Sequence, residues 1–422
     1  MKSLSELTCL VVDNGLFVEI AVTLARTYKK VYYTVPGWKS GFPKMNDSKI
    51  GTGLENIEVV SGIFGDHFDD IDLFVFPDLY FGDEQEHLVK LGKTVWGARH
   101  GDRLEMYREE MKDLLVDLGM PVANYEIIKG VAGLRKYLKE NDDKWVKTNI
   151  HRGTFETFHS PTYKLVEPRI DEIEYSLGAF KYITEFIVED NLKDMIEIGT
   201  DGYTIDGQRP TVGLTGYEIK DLSYLGVFKA YDDLPEPLVR FDNLMEPVFK
   251  KYGYRGFYSS EIRCGKDHEP YMIDFCSRAA SPPNELYQEF YTNLAEIIWQ
   301  GANGVLVDPE PIAKYGCEVL IHCPWADKNF APIDFPPEYR QNIKLRHACK
   351  INERYYAIPQ AVGLPEIGAV VGWGDTVEEA KDMVKEIAET VEGYYIEIPV
   401  ESLDKADEQL EMARDYGLDF FE

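Results

Sequence analysis

Between Gly253 and Arg278, two alternating stretches flank a turn, and each carries a carboxylate among apolar neighbours. The first reads Gly253-Tyr254-Arg255-Gly256-Phe257-Tyr258-Ser259-Ser260-Glu261-Ile262-Arg263, and the second Tyr271-Met272-Ile273-Asp274-Phe275-Cys276-Ser277-Arg278. Between them lies the turn-rich run Gly265-Lys266-Asp267-His268-Glu269-Pro270. Such a pattern predicts a hairpin, which can set Glu261 and Asp274 side by side on one face. Like charges so placed repel unless something positive lies between them, and carboxylates are rarely buried unpaired. The fold must therefore aim this hairpin at a cleft. A hard cation such as Mg²⁺, carrying nucleotide phosphates, suits the two carboxylates.

The chain of 422 residues is too long for one core and predicts several domains. Its formal net charge of −29 argues against general binding to nucleic acid or anionic membranes, which need a basic face. A local basic pocket for a small polyanion is not excluded. No apolar run approaches ~18 residues, so no membrane span is expected. Met1-Lys2-Ser3-Leu4-Ser5-Glu6 carries no signal-like apolar run. The scattered cysteines, with no CxxC pair, read as thiols in a reducing compartment, and a cytoplasmic location is expected. Cys317, His322 and Cys323 match no structural zinc spacing.

Cys9 to Val12, a helical stretch over Leu16 to Tyr28, and strand-like Lys30 to Val35 open an α/β pattern. Ile71 to Asp78 and Thr94 to Gly97 add strands, and no GxGxxG follows the first. Asp102 to Leu118 reads as one amphipathic helix, stopped by Gly119-Met120-Pro121. A strand at Tyr125 to Lys129, a helix at Gly130 to Glu140 and a strand ending in Lys147 follow. A polar loop from His151 then leads on to a strand at Tyr182 to Val188. Near the end, a helix at Thr376 to Val391 precedes a strand at Tyr394 to Ile398, and Glu401 to Glu422 reads as a solvated acidic helix.

The order of these parts resembles that of ATP-grasp enzymes. Four segments carry the resemblance: Asp102 to Arg108 leading to Leu118-Gly119-Met120-Pro121; Lys147 closing a strand before a polar loop; Tyr182-Ile183-Thr184-Glu185-Phe186-Ile187-Val188; and Glu261 with Asp274-Phe275-Cys276-Ser277-Arg278. Gly368 to Ala380 resembles the C-terminal domain of glycinamide ribonucleotide synthetases and, more distantly, of biotin carboxylases. The resemblance implies an α/β (α+β) ATP-grasp fold with four parts. These are an open parallel α/β domain (1–100), an ATP-grasp domain (101–310) with a small lid lobe (about 121–190), a central antiparallel sheet, and a C-terminal α+β domain (311–422) with the acidic helical tail.

It also implies roles. Glu261 and Asp274 would hold Mg²⁺, with Mn²⁺ as a substitute, bridging the phosphates of ATP. Lys147 would reach the phosphates, with Arg108 standing where relatives have lysine. Gly153 and Thr154 would lie in the lid loop. Glu185, Phe186 and Ile187 would offer backbone groups to the adenine, and Asp190 or Asp194 would meet the ribose. Arg278 would sit beside the transferred phosphoryl group, with Lys220 in the acceptor half and Arg263, Arg278 and Tyr217 holding a substrate carboxylate. Cys276 stands where relatives usually have asparagine, Gly153 is the sole glycine of the loop, and Leu222 to Phe228 replaces a glycine-rich stretch.

The implied activity is an ATP-dependent carboxylate–amine ligation through an acyl-phosphate, releasing ADP and phosphate. Small-molecule carboxylate and amine substrates follow, and a homodimer is compatible with it. A biotin-carboxylase-like enzyme, an ATP-binding protein without catalysis, and a binding module of unrelated α/β fold remain as alternatives.

Overall fold

The computed structural model describes residues 2–36, 49–150, 157–359, 366–419 and 421. The chain divides into two compact units: Met1–Asp102 with Ile198–Ser260 and Cys276–Glu422, and Arg103–Glu197 with Glu261–Phe275. Among the described residues no helix is long and apolar enough to cross a membrane.

The larger unit opens with an all-parallel sheet in the order Ile57–Val59, Lys30–Thr34, Thr8–Val12, Leu73–Val75, Thr94–Trp96. Its strands are apolar because both faces are covered, as parallel crossovers require. One face packs Leu10, Val12, Tyr32, Phe74 and Val95 against Ile63, Phe81 and Leu88. The expected helix at Leu16 to Tyr28 is shorter, Val18–Leu24.

A five-stranded antiparallel sheet follows in the order Val212–Ile219, Ser223–Ala230, Tyr315–His322, Glu366–Gly374, Ile343–Leu345. The helix Val377–Ala388 lies on it, begun by a capping box in which the Thr376 hydroxyl accepts from the Glu379 N–H at 3.2 Å. Gly372 and Gly374 allow this close seat, since a Cβ at Gly374 would stand 2.5 Å from the Glu379 Cβ. A smaller sheet joins Ala348–Ile351, Arg354–Ala357, Ala331–Asp334 and Glu392–Gly393.

Two expectations for this tail fail. The strand at Tyr394 to Ile398 does not form: pairing stops at Glu392–Gly393, Tyr395 turns the chain at a left-handed φ of 56°, and only Glu397 bridges back to His322. The acidic tail is not merely solvated. Its helix, Ser402–Tyr416, buries Leu403, Ala406 and Ala413, and Phe421 beyond it stacks on Tyr217 at 5.5 Å. Three-to-four-residue spacing of small and apolar side chains gives this charged helix a packing stripe.

Asp201 and Asp242 are among the carboxylates buried in the same unit. Asp201 accepts from the Ser259 hydroxyl at 2.6 Å and the Tyr224 hydroxyl at 3.0 Å. Asp242 accepts from Thr200 at 3.0 Å and Tyr258 at 3.3 Å, with the Arg209 guanidinium 3.2 Å away. Burial pushes both carboxyls up to about 6.

The smaller unit is built on an antiparallel sheet in the order Tyr125–Lys129, Glu185–Asp190, Lys144–Thr148, Phe158–Ser160. The helices Gly130–Glu140 and Tyr163–Leu177 cover one face, where Leu134, Leu138, Ile170 and Ile173 pack on Val146, Phe158, Phe186 and Val188. The helix expected over Asp102 to Leu118 is broken into Arg103–Met106 and Arg108–Asp117. Tyr107 leaves the helical path to bridge Ile150, and the Arg108 N–H donates to the Asn149 carbonyl at 3.0 Å. The strand expected from Tyr182 begins only at Glu185, because 178–182 coils as a tight helical turn.

Candidate active site

Strand alternation decides which side chains of the smaller unit are available for chemistry. Val146, Phe186 and Val188 point into the helix-covered core. Lys147, Ile187 and Glu189 therefore occupy the opposite face. There Lys147 pairs across the ladder with Ile187, and Glu189 with Trp145 on one side and Tyr125 on the other. The helix Arg108–Asp117 brings Lys112 to this face. Its ammonium lies 3.3 Å from Glu189, with side-chain exposures of only 5% and 6%, and 5.2 Å above the Tyr125 ring.

The carboxylate hairpin forms as expected. Strands Arg255–Cys264 and Pro270–Cys276 are neighbours in one sheet, and the short turn between them is closed by the His268 N–H on the Gly265 carbonyl at 3.0 Å. A connection so short joins only antiparallel strands. Burial alternates along the first strand: Ile262 and Cys264 are buried, Glu261 and Arg263 half-buried. Lys147 reaches this hairpin. Its ammonium donates to the Ile273 carbonyl and stands 3.9 Å from the Asp274 carboxylate, whose other oxygen accepts from the Phe275 N–H at 3.1 Å. Two residues singled out from sequence, Lys147 and Asp274, are thus brought together.

Lys112 feels both. Burial pushes its ammonium toward neutrality, opposed by Glu189, reinforced by the like charge of Lys147, and opposed again by Asp274. Arg108, four residues before Lys112, is buried. Its Nη1 donates to the Thr148 carbonyl at 2.9 Å, while Nε is buried with no hydrogen-bond partner among the described residues.

Several expectations need correction. Glu185, Phe186 and Ile187 cannot offer a backbone edge to a purine. Their strand is central, laddered to Tyr125–Lys129 on one side and Lys144–Thr148 on the other. The Glu185 carbonyl already accepts from Asn149 at 2.8 Å. Glu185 does line an open hollow of about 400 Å³ with Thr148, Ile150, Phe180 and Ile183. Arg263 is committed: it donates to Glu197 at 3.3 Å and to the Leu192 carbonyl at 3.1 Å. Asp190 is paired with Lys144 and with Asn124, and Asp194 sits exposed in the following link at a φ of 53°. Tyr217 is buried and stacked on Phe421.

Arg278 and Lys220 belong to the larger unit. Arg278 is half-buried and donates to the Ala279 carbonyl at 3.1 Å. Lys220 is exposed in the tight turn between Val212–Ile219 and Ser223–Ala230, which the Leu222 N–H closes on the Ile219 carbonyl at 2.9 Å. Gly153 and Thr154 lie outside the described residues.

Lys112 and Glu189 were not singled out from sequence. The available signals were the four-residue spacing of Arg108 and Lys112, and an acid closing the apolar run Phe186-Ile187-Val188.

With five sheets among the described residues and this hairpin in place, the chain has the ATP-grasp fold, as its resemblance implied. Among similar solved structures is a phosphoribosylamine–glycine ligase from Thermotoga maritima, with a TM-score of 0.65 at 17% identity over 92% of this chain and 98% of that one. The biotin carboxylase domain of 2-oxoglutarate carboxylase from Hydrogenobacter thermophilus, solved as a dimer with MgADP, ADP and bicarbonate, has a TM-score of 0.65 at 13% identity over 98% and 99%. N5-carboxyaminoimidazole ribonucleotide synthetase from Thermus thermophilus has a TM-score of 0.58 at 12% identity over 90% and 98%. No protein-family model matches the chain, and no curated protein matches it in sequence. Likeness at these identities speaks for the fold and leaves the substrates open.

Proposed function

We propose that the protein is an ADP-forming ligase that activates a substrate carboxylate with ATP and passes the acyl group to an amine. The observation that carries this reading is the approach of Lys147 to Asp274, a buried cation set against a hairpin carboxylate. Arg108 and Lys147 would supply positive charge for phosphates, and Asp274 with Glu261 would supply two hard oxygen donors.

That donor set fits Mg²⁺, which keeps several waters and binds through one or two carboxylates plus substrate phosphates. Glu261 and Asp274 would hold the ion, which when bound supplies charge neutralisation at the phosphates. The neutral thiol of Cys276 adds no hard ligand. Lys147 would exchange its Ile273 and Asp274 contacts for the nucleotide phosphates as a point charge. The nucleobase would be met by side chains or by backbone beyond Asp190, since the strand before it has no free edge.

Bicarbonate in place of an organic carboxylate is the second reading, suggested by the bicarbonate bound in the carboxylase domain that shares the fold. The test is ADP release with Mg²⁺ across paired carboxylates and amines, with bicarbonate and biotin as separate arms, and mass spectrometry of the product. Asp274→Asn should lower turnover at least ~100-fold while the protein stays folded. Near-normal ADP formation by that variant would remove the site assignment.

A further inference from the structure

We propose that Lys112 is a third phosphate-binding cation of the nucleotide site, held by Glu189 until an anion arrives. This inference rests on the nucleotide-binding reading above and adds a residue to it.

Arg108 and Lys112 stand four residues apart, and so share one face of the helix Arg108–Asp117. The two are used differently. Arg108 directs Nη1 to the Thr148 carbonyl, so part of its donor set is tied to the protein. Lys112 meets Glu189 at 3.3 Å and the Tyr125 ring at 5.2 Å, on the sheet face that also bears Lys147. Lys147 in turn lies 3.9 Å from Asp274. Two ammonium groups thus meet the carboxylates of Glu189 and Asp274 on this face.

A structural ion pair between Lys112 and Glu189 is the plain alternative, and it explains the geometry less well. Desolvating one ion pair is costly, and its mutual attraction offsets that cost only with excellent geometry. A second buried lysine acting on the first makes the arrangement worse, and the repulsion of Lys147 does weaken the charged form of Lys112. A polyanion entering this face would relieve the repulsion and satisfy both ammonium groups. Phosphate is the chemistry that fits: several negative oxygens, accepting from point-charge donors that need no fixed fork.

The test compares Lys112→Met, Lys112→Arg and Glu189→Gln with the full-length parent, by calorimetric binding of MgADP and of adenosine, and by thermal unfolding without nucleotide. Lys112→Met is expected to weaken MgADP at least tenfold and adenosine less than twofold. Lys112→Arg should retain affinity within about threefold. Glu189→Gln, which releases the lysine, should bind MgADP as tightly as the parent or more so. A folded Lys112→Met with unchanged MgADP affinity overturns the inference, whatever its melting temperature. If Lys112→Met does not fold, the double variant with Glu189→Gln removes the orphaned charge. Unchanged MgADP affinity in it overturns the inference equally. A Lys147→Met variant separates the two claims. MgADP weakened by Lys147→Met but not by Lys112→Met sinks this inference alone, whereas no MgADP binding by the parent sinks the nucleotide reading with it.

Discussion

Lys147 joins a strand of the smaller unit to the hairpin: its ammonium donates to the Ile273 carbonyl and lies near Asp274. Lys147→Met should therefore cost stability, about 1 kcal/mol, because a part-buried acceptor loses its donor. It should also raise the ATP requirement at least ~10-fold. Chemical denaturation and ATP-dependence of ADP release measure the two effects separately, and an unchanged ATP requirement would return Lys147 to a structural role. Lys147 and Asp274 were legible in the sequence because a strand ending before a polar loop, and a carboxylate among Met272, Ile273 and Phe275, are local patterns. Lys112 and Glu189 were not. Their pairing joins a helix to a strand far along the chain, and local periodicity carries no trace of such a contact. The adenine-edge assignment to Glu185, Phe186 and Ile187 failed for a related reason. Sequence marks a strand well, but whether it lies at an edge or in the centre depends on partners placed elsewhere.

Elements were legible where one signal dominated. The capping box at Thr376 and Glu379 marks a helix start on any reading, and the helix Val377–Ala388 follows it. The tail helix was read by its charge, and its narrow apolar stripe was overlooked. These two helices make contrasting predictions. Thr376→Ala removes one capping contact and should cost about 1 kcal/mol. Leu403→Ala, at a fully buried position of the tail helix, should cost about 2–5 kcal/mol. Urea unfolding of both variants measures the difference, and a Leu403→Ala cost below that of Thr376→Ala would return the tail to a solvated appendage. The lost strand at Tyr394 to Ile398 has a backbone cause that no side-chain alternation discloses, the left-handed turn at Tyr395.

At the scale of the whole molecule, the buried acids govern the response to pH. Asp201 and Asp242 have carboxyls raised to about 6, against an ordinary value near 4. The folded protein therefore keeps protons that the unfolded chain releases. This contribution is complete below about pH 4 and is lost as pH rises through about 6, on the order of 2 kcal/mol for each group. Glu55 runs the other way. Burial raises it, but the Arg340 guanidinium and Tyr355 hydroxyl outweigh that and hold it at about 2. Its contribution is present above about pH 4.5 and fades on acidification toward pH 2. Self-repulsion from a net charge of −29 also grows toward neutral pH. Melting temperature should therefore fall between pH 5 and pH 8, and the double variant Asp201→Asn, Asp242→Asn should show a shallower fall. An equal slope in parent and variant would mean that these carboxyls are ionised throughout.

The interruption at Tyr107 has a mechanical consequence. By leaving the helical path there, the chain lets Arg108 clasp the end of a strand twice, once through its amide at Asn149 and once through its guanidinium at Thr148. Helix and strand are thereby splinted by two hydrogen bonds, and the spacing of Lys112 from Lys147 is expected to loosen when Arg108 is replaced by alanine.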